Sequence, residues 1–257
     1  MTAVTLEKEG HIAWVTLNRP PANALNFETY NAIYDAVQQV DADDDIFVGI
    51  FKAEGRIFSA GNDVHELDEI PDLTAGQAAG RSDACDRAVQ SFGFAAKPWI
   101  SLVNGAAVGA GFEIPAFSDI VIATPKARFG IPEVSRGIVG GNVVASSVFP
   151  PHITRYLSLT GKTIDAQRSY ELGFVWKVVD EKDLIEAGRQ AAQDLLDNPP
   201  LTVRYQKESL RKVYSIPRLN EIMASDADLK EKSKNSEDFQ EAIHSFLEKR
   251  PPVYKAR

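Results

Sequence analysis

Trp99-Ile100-Ser101-Leu102-Val103-Asn104-Gly105-Ala106-Ala107-Val108-Gly109-Ala110-Gly111-Phe112-Glu113 runs from an unbroken apolar segment through a glycine-rich turn to an acid among apolar neighbours. The first five residues read as a strand covered on both faces, because they show no alternation of apolar and polar side chains. The glycines permit close approach by another backbone or a ligand. A helix starting near Gly109 places Glu113 in its first turn, with Phe112, Ile114, Ala116 and Phe117 around it. A helix that is apolar all round is buried, and a buried carboxyl needs a partner or a function. The positive end of the helix dipole supplies one explanation for the acid, and its free N–H groups supply another, as an anion site. Pro115 removes a backbone donor and is expected to bend this helix.

The same strand, turn, helix order extends on both sides. Strands are expected at 4–7 and 12–18, joined at Glu9-Gly10, and Arg19-Pro20-Pro21 ends the second. Asn26 is a suitable N-cap for a helix over 27–40, with Tyr30, Ile33, Tyr34 and Val37 on one stripe. Further strands are expected at 46–51 and 120–123, and a helix at 81–94, after a polar loop over 65–80. Beyond about residue 160 the apolar strands nearly disappear. Helices are expected there at 165–172, 183–197, 202–214 and 237–247, with Asn198-Pro199-Pro200 as a boundary. Buried strands separated by helices indicate an α/β fold, here with a core over 1–195 and a helical C-terminal region over 196–257.

Composition narrows the function. The 257 residues are 44% hydrophobic and 25% charged, enough for a large core. A net charge of −8 opposes binding to a phosphate backbone, so no nucleic-acid partner is expected. No apolar run is long enough for a membrane span, and the first ten residues lack the features of a signal peptide. Cys85 is the single cysteine, which fits a reducing, cytoplasmic setting.

Several motifs fail on inspection. Gly109-Ala110-Gly111 opens like a dinucleotide fingerprint, but Ile114 occupies the third small position. Gly161-Lys162-Thr163 resembles the end of a phosphate loop, but Tyr156 stands where the first glycine is required. The four histidines show no ligand spacing, and Asp63, His65, Glu66, Asp68 and Glu69 read as a solvated face, so no metal is expected. A second loop, Arg56-Ile57-Phe58-Ser59-Ala60-Gly61-Asn62-Asp63, offers further backbone donors. A second acid, Glu133, follows in Phe129-Gly130-Ile131-Pro132-Glu133. Taken alone, it reads as a helix-start residue.

Together with Leu17-Asn18-Arg19-Pro20, Asn23-Ala24-Leu25, Val103-Asn104-Gly105-Ala106 and Phe246-Leu247-Glu248-Lys249-Arg250-Pro251-Pro252-Val253-Tyr254-Lys255, these stretches make the chain resemble the crotonase family of enoyl-CoA hydratases and isomerases over essentially its whole length. The resemblance implies a spiral of strand-strand-helix units with a helical C-terminal region that assembles as a trimer or a dimer of trimers. It implies an acyl-CoA thioester substrate and no cofactor, coenzyme A being part of the substrate. By position, the N–H groups of Ala60 and Ala110 would form an oxyanion hole, and Glu113 and Glu133 would be the acid and base. Ala22, Ala24, Gly61, Asn62, Asp63, Gly141, Phe246 and Lys249 would line the substrate site; Gly141 would help place water, and Asp63 would hold the loop. The activity this implies is reversible hydration of a 2-enoyl-CoA. The alternatives are double-bond isomerisation, or another crotonase-type acyl-CoA reaction, with one glutamate, and acyl-CoA binding without turnover. Two departures stand out. Ala110 replaces a usual glycine, and its methyl is expected to narrow the pocket. The run Gly137-Ile138-Val139-Gly140-Gly141-Asn142-Val143-Val144, followed by Ser146-Ser147-Val148, departs from the family pattern beside Glu133.

Overall fold

Strands β1 (Val4–Glu9) and β2 (Ile12–Leu17) form an antiparallel hairpin, turned at Gly10 with φ +60°. From β2 the sheet continues in parallel through β3 (Val48–Ala53), β4 (Trp99–Val103), β6 (Ile120–Ala123) and β9 (Lys177–Val178), in the order β1-β2-β3-β4-β6-β9. A smaller sheet joins β5 (Ala106–Val108), β7 (Arg128–Gly130) and β8 (Thr163–Asp165). The computed structural model describes residues 2–63, 66, 75–136, 141–215, 237–238, 241, 248, 250–251 and 253–255.

The unbroken apolar strands are explained by burial on both faces of the larger sheet. On one face Ile12, Trp14, Ile50, Ile100, Leu102 and Ile122 meet Leu184, Ala191 and Ala192 of the helix Leu184–Leu196 (α7). On the other, Val15, Leu17, Phe51, Val103 and Val121 join one core with Ile33 and Val37 of α1 (Phe27–Ala42), Ala88 and Phe92 of α2 (Ala75–Phe94), and Phe112 and Ile114 of α3 (Ala110–Phe117). Phe92 packs edge-on against Phe51 and Trp99. Phe92 and Trp99 are therefore core residues; Phe94 is exposed beneath the Arg211 guanidinium.

Asn26 caps α1 as expected, its Oδ1 accepting from Thr29 N at 3.0 Å. The third strand begins at Val48, two residues later than the pattern suggested. Helix α2 begins at Ala75, so the polar loop expected over 65–80 ends earlier than its composition implied. Pro115 lies inside α3, which still runs on to Phe117.

Beyond residue 141 the described chain is mainly helical: α4 (Asn142–Val148), α5 (Pro151–Thr160), α6 (Ala166–Glu171), α7 and α8 (Pro200–Ser215). Helix α8 is tied into the core by Lys207, whose Nζ donates to Phe92 O (2.7 Å), Lys97 O (3.0 Å) and Asp119 Oδ2 (2.7 Å). Residues 237, 238 and 241 are helical, and the rest of the helix expected at 237–247 lies outside the described residues. Among the described residues no helix is long and apolar enough to cross a membrane.

Candidate active site

The two glycine-containing loops are held together by backbone. Ser59 N donates to Ala106 O and Val108 N to Ser59 O, each at 3.0 Å. Asn104 Nδ2 reaches back to Gly55 O at 2.7 Å. A Cβ at Gly105 would fall 2.1 Å from Arg56 O, and one at Gly111 would fall 2.6 Å from Ser59 Oγ, so only glycine allows this approach. Asn23, buried with φ 50°, braces the first loop: its Nδ2 donates to Glu54 O and Ile57 O at 2.8 Å, and its own C=O accepts from Ser59 Oγ.

This bracing decides which amides face the site. The Ala60 N–H does not: it donates to Ala22 O at 3.0 Å. Ala60 as an oxyanion donor is therefore corrected. Gly61, at φ +81°, breaks the regular alternation of the loop. Its carbonyl accepts from Leu25 N at 2.8 Å, and Asp63 N donates to Leu25 O at 3.0 Å. A trans peptide points its C=O and N–H in opposite directions. The Asn62 N–H, in the same peptide as the Gly61 carbonyl, is thus turned away from Leu25. Gly61 packs on the start of α3, where its missing Cβ would lie 3.3 Å from Ala110 N. Among the described residues, neither the Asn62 nor the Ala110 amide meets a protein acceptor, so both are unengaged donors at the junction. The Asn62 donor was missed because loop position alone does not show a peptide's direction. The signal was Gly61, a residue whose positive φ reverses the chain. Ala110 is only 3% exposed, so its methyl is taken up by protein packing, contrary to the expected narrowing of an open pocket.

Ala22 and Ala24 lie on the bracing segment; the Ala24 carbonyl accepts from the Arg19 guanidinium at 3.0 Å. The same guanidinium pairs with buried Asp63 at 2.6 Å, which anchors the far end of the loop. Asn62 accepts at Oδ1 from the Tyr30 hydroxyl at 2.6 Å. Phe246 and Lys249 lie outside the described residues.

Both glutamates reach this junction. Glu113 is in the first turn of α3. Glu133 is in the short 3-10 turn Pro132–Arg136 that follows β7, and β7 is held beside α3 by Gly109 N donating to Gly130 O at 2.9 Å. Gly109, at φ +59°, leaves room for the second acid: a Cβ there would stand 2.8 Å from Glu133 Oε1. Gly141, which caps α4, faces the first: its Cβ would lie 3.7 Å from Glu113 Oε1. Burial, then the adjacent Glu133 charge and then Asp86, push the Glu113 carboxyl up to about 7. A buried acid raised by a neighbouring acid is a common arrangement for general acid–base work. Half-buried Cys85 also feels both glutamates, so α2 flanks the site. In the segment that departs from the family pattern, residues 137–140 lie outside the description; Ser146 and Ser147 are exposed and donate to Val143 O and Val144 O on their own helix. Among the described residues no group of His, Cys, Asp and Glu could hold a metal ion.

Residues 7–257 match the enoyl-CoA hydratase/isomerase family. The chain belongs to that family. It is 34% identical to a (7aS)-7a-methyl-1,5-dioxo-2,3,5,6,7,7a-hexahydro-1H-indene-carboxyl-CoA hydrolase of Mycobacterium tuberculosis, over 86% of this chain and 88% of that one. It is 32% identical to a carnitinyl-CoA dehydratase of Salmonella enteritidis, over 98% of each chain. An enoyl-CoA hydratase/isomerase structure from Mycobacterium paratuberculosis superposes with a TM-score of 0.89 at 32% identity, covering 99% of each chain. The enoyl-CoA hydratase/isomerase fold expected from the loop motifs is thereby established, and with it an enzyme of the acyl-CoA class. The relatives' differing names leave the reaction to the chemistry of the site.

Proposed function

We propose that this enzyme hydrates a 2-enoyl-CoA to a 3-hydroxyacyl-CoA, reversibly. The observation that carries the reading is the meeting of two carboxyls with two unengaged amides at one junction. The thioester oxygen accepts hydrogen bonds from the Asn62 and Ala110 N–H groups. Polarising that carbonyl draws charge from the conjugated double bond, and C3 becomes electrophilic. Like charges side by side favour a pair that shares one proton near neutrality. The ionised carboxylate of Glu113 and Glu133 takes a proton from water as its oxygen bonds to C3. The protonated carboxyl then delivers its proton to C2 as the enolate collapses, and the sum is addition of one water. Gly141, facing Glu113 and packed on Ile131, offers its backbone N–H to help place that water. One oxyanion donor is typically worth about 10²–10³ in rate, and a placed acid or base about 10²–10⁴. Neither effect requires a cofactor. The carnitinyl-CoA dehydratase relative supports the reading, since loss of water from a 3-hydroxyacyl thioester is the reverse of this step.

The test is a panel of enoyl-CoAs differing in chain length, branching and aromaticity, followed by loss of the conjugated thioester absorbance and by product mass. Products heavier by one water support hydration. Products of unchanged mass with a moved double bond replace it with isomerisation. No turnover anywhere in the panel refutes both.

A further inference from the structure

The stripe on α1 that reads as plain core contains one residue with a second role. Tyr30 is 4% exposed and buried beside Ile33 and Val37, yet its hydroxyl is directed out of the core, to Asn62 Oδ1 at 2.6 Å. The helix that carries it is fixed at its start: Asn26 Oδ1 accepts from both Thr29 N and Thr29 Oγ1, and Glu66 Oε2 accepts from Phe27 N. Asn62 is the residue whose amide points at the thioester oxygen in the reading above. Its backbone is held along one edge by the Leu25 bonds to the residues on either side. Gly61, just before it, is fixed at positive φ, with its N–H on Ser59 Oγ at 3.2 Å and its carbonyl on Leu25 N at 2.8 Å. The Asn62 side chain is a further point at which this residue is tied to the fold, through Tyr30.

We infer that Tyr30 is a positioning residue for the oxyanion hole, locking the Asn62 side chain to α1 so that the Asn62 amide stays aimed at the substrate carbonyl. The inference rests on the proposed role of the Asn62 amide. Two observations converge on it: the short hydrogen bond and the near-complete burial of the phenol that makes it. Burial also pushes the Tyr30 hydroxyl well above its ordinary value, so it remains a neutral donor across the working range. Cys85 lies beside the same hydroxyl and is itself half-buried.

The experiment compares the wild-type enzyme with Tyr30→Phe, Asn62→Ala and the double variant. Tyr30→Phe keeps the ring and so keeps the packing; Asn62→Ala keeps the amide and removes only its tether. Two readouts are taken: kcat and KM for hydration, and the infrared carbonyl stretch of bound acetyl-CoA labelled with 13C at the thioester carbon. A donor that is misplaced rather than removed should cost less than the ~10²–10³ of outright loss, so Tyr30→Phe is expected to lower kcat about tenfold with little change in KM. The bound carbonyl should move back toward its position in water. Asn62→Ala should do the same, and the double variant should lose no more than either single one. A Tyr30→Phe enzyme with wild-type kcat and a wild-type carbonyl shift overturns the inference alone. Additive losses in the double variant also overturn it, because the hydroxyl would then act by another route. If the wild-type protein itself leaves the acetyl-CoA carbonyl unshifted, the oxyanion-hole reading fails first and takes this one with it.

Discussion

Replacing Glu113 with glutamine should make the protein more stable at neutral pH while it cripples the enzyme. Burial and the neighbouring Glu133 raise the Glu113 carboxyl from its ordinary 4.5 to about 7. The unfolded chain loses that proton near 4.5, and the folded protein keeps it until about 7. Between these values the native state binds more protons than the unfolded state, so stability falls as pH rises through this window and is level above it. Each unit is worth about 1.36 kcal/mol, so the shift corresponds to roughly 3 kcal/mol of native-state cost once the carboxyl is ionised. Glutamine has nothing to ionise. Urea unfolding of both proteins, from pH 4.5 to pH 8, should show curves that lie together at the acid end. They should diverge through the window, with the variant more stable by about 2–3 kcal/mol at pH 8. Other titrating groups, Asp119 among them, are common to both proteins and cancel in the difference. Parallel curves across the whole range would refute the argument, because they would mean that the site does not hold Glu113 in its neutral form.

Three further outcomes follow from particular contacts. Gly109→Ala combines a side chain at φ +59° with a Cβ 2.8 Å from Glu133 Oε1, so the acid is pushed aside; hydration should fall about 10²-fold while the circular dichroism spectrum is retained. Lys207→Met leaves the partly exposed Asp119 carboxylate without its ammonium, and the two carbonyls facing that ammonium without a donor. It should lower unfolding stability by about 2–4 kcal/mol, chiefly through the two buried carbonyls left without a donor, read from the denaturant midpoint. The Cys85 thiol is pushed up to about 12, chiefly by burial. At pH 8 its thiolate fraction is on the order of 10⁻⁴, so iodoacetamide should label the native protein far more slowly than the urea-unfolded chain, as read by intact mass.

The sequence was most legible where a single physical rule acted alone. The strands at Trp99–Val103 and Ile120–Ala123 and the Asn26 cap of α1 fall where the pattern places them, because burial on both faces and an N-cap each leave a local mark. The short strands β5, β7 and β8 had no such mark. Three residues cannot display a period, and these strands exist because β7 brings Gly130 to Gly109. The same distinction divides the site. Glu113 was readable as an acid amid apolar neighbours, and Glu133 gained its meaning only from the company of the other motifs. The direction of each amide was not readable. Ala60 and Asn62 lie two residues apart on one loop, and only the Ala22 and Leu25 partners show that the first N–H is spent and the second is free. Tyr30 looked like one more member of an apolar stripe, because periodicity reports which face a residue is on and not where its hydroxyl ends.

The central claim is that two carboxyls and two amides act together on an enoyl thioester. The most direct measurement is the hydration rate of Glu113→Gln and Glu133→Gln, each assayed separately on the best substrate of the panel by loss of the conjugated absorbance. The account predicts that each variant alone falls by about 10²–10⁴. A near-normal rate in either one would contradict it, because a single carboxyl would then be carrying both proton transfers.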